Sequence, residues 1–271
     1  MELIRTPLKW VGSKSRIMET LRPHLPAGDR LVEPFAGSCA VMMNTDYESY
    51  LIADVNQDLI HMYVSMVGFT DRFLHTAENL FKTRNTPESY YSLRLAFNSK
   101  SHDSTDRAAL FFYLNRHCFN GLCRYNQKGE FNVPFGKYKK PYFPEKEIYA
   151  FVEKAKRAEF ICGHYSETLS MVKSGDVVYC DPPYLTDTDN FTTYHTQGFT
   201  HLDHGRLSRK LRRLSARGIP VIASNSDLDM VRYLYSGFSI EPITAPRSVG
   251  AAAGSQKSAG ELIIKSGVSH A

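Results

Sequence analysis

Asp176-Val-Val-Tyr-Cys-Asp-Pro-Pro-Tyr184 joins a short apolar run to a stiff corner. Val177, Val178, Tyr179 and Cys180 are β-branched, aromatic or small, which suits a strand buried on both faces of a parallel sheet. Asp181 follows, and then Pro182 and Pro183, each of which fixes φ and has no N–H for a ladder. The chain is therefore expected to leave the strand as a rigid, extended corner, with an acid at its start and the Tyr184 ring at its end. Open α/β sheets bind their ligands at the carboxyl ends of strands. By itself the same stretch is also an ordinary strand exit, so its meaning depends on what surrounds it.

Upstream, Leu31 and Val32 read as a short buried strand, and Phe35-Ala-Gly-Ser38 as the turn from it into a helix. Gly37 lets backbone approach a ligand closely. Leu51-Ile-Ala-Asp54 reads as a second strand that ends in an acid. A glycine turn followed by an acid-tipped strand is the arrangement in which a carboxylate takes ribose hydroxyls. The pattern is not G-x-G-x-x-G, so a dinucleotide does not follow from it. Pro7 to Arg16 is a polar stretch with Trp10 and Lys14 ahead of a helix, and it suits either an anionic, stacking ligand or a basic surface loop with a core tryptophan. Asp58, Leu59, Met62, Tyr63 and Met66 continue as an amphipathic helix.

Residues 70–118 read as mostly helical, with Asp106 as an N-cap. Phe119-Asn-Gly-Leu-Cys-Arg-Tyr-Asn126 then mixes basic, amide and aromatic side chains, as does the chain onward to Lys140, and Gly129 marks a hairpin turn between short strands. Such a surface suits nucleic acid, with cations for phosphates, Arg and Asn for base edges and rings for stacking. The charge is placed accordingly. The chain of 271 residues carries a net charge of +5. Residues 94–146 hold ten Lys/Arg against four Asp/Glu, and the rest of the chain holds slightly more acid than base. A local excess of that size attracts polyanions.

Downstream, Phe160 to Cys162 reads as a strand, Tyr165 to Val172 as a helix, His204 to Ala216 as a basic helix, and Ile219 to Asn225 as a buried strand. A helix over Met230 to Tyr235 and a closing strand over Glu261 to Lys265 complete the order. The connection from Leu185 to Thr200 is polar, Thr-rich and long, a length usually tied to function. Ala245 to Gly260 is rich in Gly, Ala and Ser and is expected to be a mobile loop. The five cysteines have no C-x-x-C spacing, which favours reduced thiols in a cytosolic protein. His201 and His204 have no cysteine beside them, which leaves a metal site open there without implying one. No apolar run is long enough to cross a bilayer, and Met1 to Pro7 carries no signal-peptide stretch.

Taken in order, the Pro7–Arg16 stretch, the Phe-x-Gly turn, Asp54, the basic middle and Asp181-Pro-Pro-Tyr184 resemble the α group of amino methyltransferases. Within it the chain resembles the Dam-type DNA adenine methyltransferases, through Leu8-Lys-Trp10, Val32-Glu-Pro-Phe35, Asn120-Gly-Leu-Cys-Arg-Tyr-Asn126, Gly129-Glu-Phe-Asn-Val-Pro-Phe-Gly136 and Tyr138-Lys-Lys-Pro-Tyr-Phe-Pro144. The resemblance spans nearly the whole chain.

It implies an α/β, Rossmann-like methyltransferase domain with a mostly parallel sheet (residues 1–56 and 145–271) and an inserted helical and β-hairpin DNA-recognition domain (57–144). It implies S-adenosyl-L-methionine as cofactor and the adenine of GATC in double-stranded DNA as target, in a cytoplasmic, DNA-associated monomer of a bacterial or phage-infected cell. The implied catalytic residues are Asp181, Pro182 and Tyr184, and the implied cofactor residues are Trp10, Lys14, Phe35, Gly37, Asp54, Tyr165 and Asp181. On the DNA side, Arg124 and Lys9 would read guanines, while Leu122 and Pro134 would meet a thymine methyl. Phe119 and Asn120 would enter the base stack. Arg116, Asn126, Asn132, Lys137, Tyr138 and Lys139 would touch phosphates or position other groups. Cys39 stands where the family usually has the second glycine of Phe-x-Gly-x-Gly, so its side chain is expected to crowd the cofactor. Two other readings are a DNA-binding protein without effective turnover and an amino methyltransferase acting on RNA or on protein glutamine.

Overall fold

Five strands run parallel: β1 (Arg30–Glu33), β2 (Ser49–Asp54), β3 (Ala158–Cys162), β4 (Asp176–Cys180) and β5 (Val221–Ser226). Two more, β6 (Ser239–Ala245) and β7 (Ala259–Lys265), complete one sheet in the order β3-β2-β1-β4-β5-β7-β6, with β7 antiparallel to both of its neighbours. The structure is a computed structural model that describes residues 2–99, 104–185, 199–245 and 259–266. Two expectations, the function-bearing loop after Leu185 and the mobile loop after Ala245, fall mainly on 186–198 and 246–258 and lie outside the described residues.

Alternation along the strands makes two cores. Leu31, Ile52, Val177, Tyr179, Ile222 and Ile263 face one side. Val32, Leu51, Val178, Cys180, Val221, Ala223, Leu262 and Ile264 face the other. With a side-chain period of two, strands apolar at every position must be covered on both faces. Val177 to Cys180 are each 2% exposed or less. The first core is shared by α1 (Met18–Leu21), α2 (Ala40–Met43), α3 (Gln57–Gly68), α4 (Thr70–Thr83), α5 (Pro87–Asn98), α6 (Ser104–His117) and α7 (Glu145–Ala155), with α3 and α7 against the strands and α4, α5 and α6 packed outward from α3. The second is covered by α8 (Tyr165–Ser170), α9 (His201–Ala216) and α10 (Asp229–Leu234).

Local signals set several boundaries. Asn56 caps α3 by accepting from the Leu59 N–H, and Thr86 caps α5 with Pro87 at the first helical position. Thr200 and Asp203 form a reciprocal capping box on α9. Other details differ from the sequence reading. Asp106 is inside the first turn of α6, which already includes Ser104, and its carboxylate meets Arg72 at 3.3 Å. Strand β6 has no counterpart in the sequence reading. Pro242 interrupts it, and proline is tolerated because β6 is the sheet edge, where a missing N–H leaves no ladder bond unmade. Helix α3 packs on the sheet, with Tyr63 stacked on Phe151 at 4.8 Å and its hydroxyl donating to the Gly37 carbonyl at 2.7 Å. One continuous core therefore runs from the sheet through α3 to Phe73, Phe112 and Phe131.

The hairpin is narrower than expected. Among the described residues, its pairing is confined to isolated bridges, Cys118 with Phe135 and Tyr125 with Phe131. Helix α5 supplies the missing partners. Asn98 donates to the Phe131 carbonyl at 3.1 Å and accepts from the Phe131 N–H at 2.9 Å, while Tyr90 and Arg94 donate to the Val133 carbonyl at 2.8 and 3.0 Å. Buried backbone groups must be paired somewhere, and here side chains of a helix take the place of a neighbouring strand.

Candidate active site

The strand order reverses between β1 and β4, and a cleft of about 1030 Å³ opens there at the carboxyl ends of the strands. Trp10, Lys14, Phe35, Gly37, Asp54, Tyr165 and Asp181 all line it, together with Pro182 and Tyr184. They come from five separate segments of the chain. Phe35 and Gly37 follow β1, Asp54 ends β2, Tyr165 begins α8, and Asp181 follows β4. Trp10 and Lys14 come from the N-terminal loop and its short 3-10 turn.

The geometry explains why these residue types stand where they do. Gly37 has φ +47°, and a β-carbon there would lie 2.8 Å from Trp10 Nε1, so the indole closes on the turn only because residue 37 has no side chain. The Asp54 carboxylate accepts from the N–H groups of Gly37 at 3.1 Å and Asn56 at 2.9 Å, which aims it across the cleft mouth. Burial raises the pKa of Asp54, and these N–H donors oppose the rise. Phe35 and Tyr165 stack at 5.4 Å with planes 24° apart, and Phe199 meets both edge-on at 5.6 Å. A flat apolar wall beside an anchored carboxylate is suited to a nucleoside.

At the other end, Lys14 Nζ lies 2.8 Å from Asp181 Oδ1 and donates to the Gly12 carbonyl at 3.0 Å. Burial raises the Asp181 pKa and Lys14 opposes this. Glu33 at the end of β1 is 2% exposed and lines the cleft, and burial pushes its pKa up to about 8. Its Oε1 has no hydrogen-bond partner among the described residues. An orphaned buried oxygen in an acid-rich cleft fits a ligand that brings a donor or a positive charge.

Cys39 corrects an expectation. It has φ 58°, is fully buried, and is absent from the cleft lining. Burial pushes its thiol well up in pKa. The position requires a left-handed backbone, which glycine adopts freely, so a side chain here costs backbone strain and does not crowd the cleft.

On the basic side, Arg124 is exposed, and its Nε donates to Asn132 Oδ1 at 2.8 Å, which leaves the outer edge of the guanidinium open. Lys9 Nζ sits over the Tyr138 ring at 3.7 Å and donates to the Arg116 carbonyl at 3.3 Å. Phe119 is 49% exposed, and Asn120 beside it has φ 54°. Leu122 is half-buried, and Pro134, Lys137 and Lys139 are exposed. Arg116 is 7% exposed and donates to the carbonyls of Pro7 and Tyr142, so it ties the N-terminal loop to the basic region from within and positions neighbours without facing solvent. Asn126 is spent on the turn, accepting from the N–H groups of Lys128 and Glu130 and donating to the Glu130 carboxylate.

A family model described as "D12 class N6 adenine-specific DNA methyltransferase" matches residues 10–249. The chain belongs to this family. It is 54% identical to the retron Ec67 DNA adenine methylase of Escherichia coli, over 97% of this chain and 91% of that one. It is 47% identical to the DNA adenine methylase of Serratia marcescens (92% and 93% covered) and 45% identical to that of Escherichia coli K12 (97% and 95% covered). The chain is thus a DNA adenine methyltransferase, with a methyl donor and DNA as its substrates. Among its described residues no helix is long and apolar enough to cross a membrane.

Three cleft residues of this methyltransferase escaped the sequence reading of function. Glu33 was visible in Val32-Glu-Pro-Phe35, but only as part of that motif, and the structure makes it the last residue of β1. Phe199 follows a long polar stretch that has no periodicity. Glu261 begins an apolar strand, and nothing in the sequence says that this strand runs antiparallel and so delivers its first residues to the cleft edge.

Proposed function

We propose that this enzyme transfers the methyl group of S-adenosyl-L-methionine to the exocyclic amine of the flipped-out adenine of GATC in double-stranded DNA. The observation that supports this best is the convergence of the acid-opened proline corner with Trp10, Lys14, Phe35, Gly37, Asp54 and Tyr165 on one cleft. Asp54 suits the ribose hydroxyls, the Phe35–Tyr165 wall suits the nucleoside base, and the acids around Lys14 suit a cationic donor. S-adenosyl-L-methionine supplies, when bound, a methyl group on a positively charged sulfur that a nearby amine can displace.

The amine of adenine is a poor nucleophile because its lone pair is delocalised into the ring. Asp181 accepts one amine hydrogen and the Pro182 carbonyl the other. This draws the nitrogen toward tetrahedral geometry and localises its lone pair. Lys14 already occupies Asp181 Oδ1, which leaves Oδ2 for the amine. Tyr184 gives the extruded base a face to stack on, and a duplex base must be extruded before any of this can happen. Positioning and electrostatics carry the step.

Residues 57–144 are proposed as the target-recognition unit. There Arg124 and Lys9 read guanines, Leu122 and Pro134 meet a thymine methyl, and Phe119 with Asn120 enters the gap in the stack. Lys137 and Lys139 contact phosphates. Asn132 aims Arg124, Asn126 sets the turn, Tyr138 supports Lys9, and Arg116 holds the Lys9 loop in register. The protein is proposed to act as a monomer on cytoplasmic DNA. The test is direct. A GATC duplex incubated with enzyme and S-adenosyl-L-methionine should become resistant to a nuclease blocked by adenine methylation, and a scrambled duplex should not acquire methyl groups. Persistent cleavage of the GATC duplex by that nuclease would count against the reading.

Lys9 makes DNA binding pH-dependent. Burial, reinforced by Arg116, lowers its pKa to about 8. It therefore loses its charge as pH rises through about 8, whereas an exposed lysine stays charged across this range. Between pH 7 and pH 9.5 the preference for the guanine that Lys9 reads should weaken, toward the loss of about 1–3 kcal/mol that one base contact is worth. Lys9→Met should show the weakened preference at both pH values. A wild-type preference at that position that is constant with pH would mean that the Lys9 charge does not read it.

A further inference from the structure

Glu261, at the start of β7, is 7% exposed. Its Oε1 accepts the Tyr184 hydroxyl at 2.6 Å and lies 3.7 Å from Lys14 Nζ, which in turn is 2.8 Å from Asp181 Oδ1. The N-terminal 3-10 turn, the proline corner and the one antiparallel strand thus meet in a single buried chain of charges. No role assigned above uses Glu261.

We propose that Glu261 is a positioning residue for methyl transfer, fixing the plane of the Tyr184 ring and drawing Lys14 partly off Asp181, so that the acid keeps an acceptor free for the amine. This rests on the corner being the methyl-transfer site.

A ring that only stacks needs no hydroxyl. Here the hydroxyl donates to a carboxylate at the short distance of a charge-assisted bond, which fixes tilt and rotation together. Lys14 spends donors on Gly12 and Asp181, while the Glu261 carboxylate stands within ion-pair range at 3.7 Å on its other side. Were Glu261 only a strand anchor, an apolar side chain would serve without the cost of burying a charge. The groups facing Asp181 are Lys14 from the 3-10 turn, Glu33 from β1, Tyr179 and Cys180 from β4, Tyr184 from the corner and Glu261 from β7. Of the two partners in the chain, Glu261 raises the Asp181 pKa and Lys14 lowers it. Asp181 must be ionised to accept fully, so its pKa sets the acid limb of turnover. Removing the Glu261 charge must move that limb to lower pH.

The experiment compares kcat, the KM for a GATC duplex and the pH profile of kcat for the full-length wild type, Glu261→Gln and Glu261→Asp. Gln keeps an acceptor for Tyr184 but loses the charge, whereas Asp keeps the charge but withdraws it from the ring. In Gln, kcat should fall about tenfold, the scale of one lost charge-assisted contact, with KM for DNA nearly unchanged. Its acid limb should move to lower pH. In Asp, kcat should fall while the acid limb stays in place. Wild-type kcat in either variant overturns the assignment, and so do two variants with the same limb position. If the Gln variant does not fold, Asp alone decides, through its kcat. Failure of the wild type to methylate GATC would instead overturn the reading on which the proposal rests.

Discussion

Replacing Asp181 by alanine is expected to remove methyl transfer while leaving affinity for duplex DNA close to that of the wild type. The carboxylate is the first group after β4, and it lines the cleft. Its proposed work, taking a hydrogen from the amine, is done mainly in the transition state, so its loss should appear in kcat with little change in KM. The expected fall is about 10²–10³-fold or more, the cost of deleting one preorganised polar group at a reacting centre. Asp181→Asn is the informative companion, because an amide oxygen still accepts one hydrogen. It should retain part of the turnover lost in alanine, although Lys14 would then lose its closest charge partner. Single-turnover incorporation of labelled methyl, alongside a duplex-binding titration, measures both. Turnover retained in the alanine variant would remove Asp181 from the mechanism.

The second large effect concerns selection of the base. Arg124→Ala should cost about 1–3 kcal/mol of discrimination at one position of the site and relax the preference there. The reason is geometric. Asn132 Oδ1 takes the Nε–H of Arg124, and the hairpin places the Asn132 N–H on the Arg124 carbonyl at 3.1 Å, so the guanidinium is held at its inner edge and free at its outer one. A fork held in this way loses little entropy on meeting the paired acceptors of a guanine. Rates on four duplexes, each carrying one changed base pair of GATC, give the answer. If the variant loses affinity equally on all of them, Arg124 holds a phosphate. Asn132→Ala should weaken the same base preference to a smaller degree.

Much of the catalytic half was legible because its signals are short-range. A strand that must be buried shows as an unbroken apolar run, two prolines end it wherever it is packed, and Phe-x-Gly with a following acid-tipped strand has few other uses. Capping is also decided within four residues, yet the Asn56 and Thr200 caps emerged only in the structure, where α9 begins at His201, ahead of the His204 expected from the sequence. The basic region was legible as chemistry and less so as structure. Its amides and cations suggested contacts with DNA, yet Asn126 builds the turn and Arg116 is an internal strut. Both types of residue satisfy backbone groups as readily as phosphates, and only packing says which they meet.

By itself, the sequence determined the α/β alternation, the corner at Asp181 and the acid-tipped strand at Asp54, since each depends on the steric and apolar character of a few adjacent residues. Only the tertiary structure decided which strand lies beside which. It set β7 antiparallel between β5 and a proline-bearing edge, and so brought Glu261 to within 2.6 Å of the Tyr184 hydroxyl, 77 residues away in the chain. It also turned Cys39 into the core and left one buried oxygen of Glu33 without a partner among the described residues at the cleft. Direction and partnership of this kind arise from how elements pack, and no local run of residues encodes them.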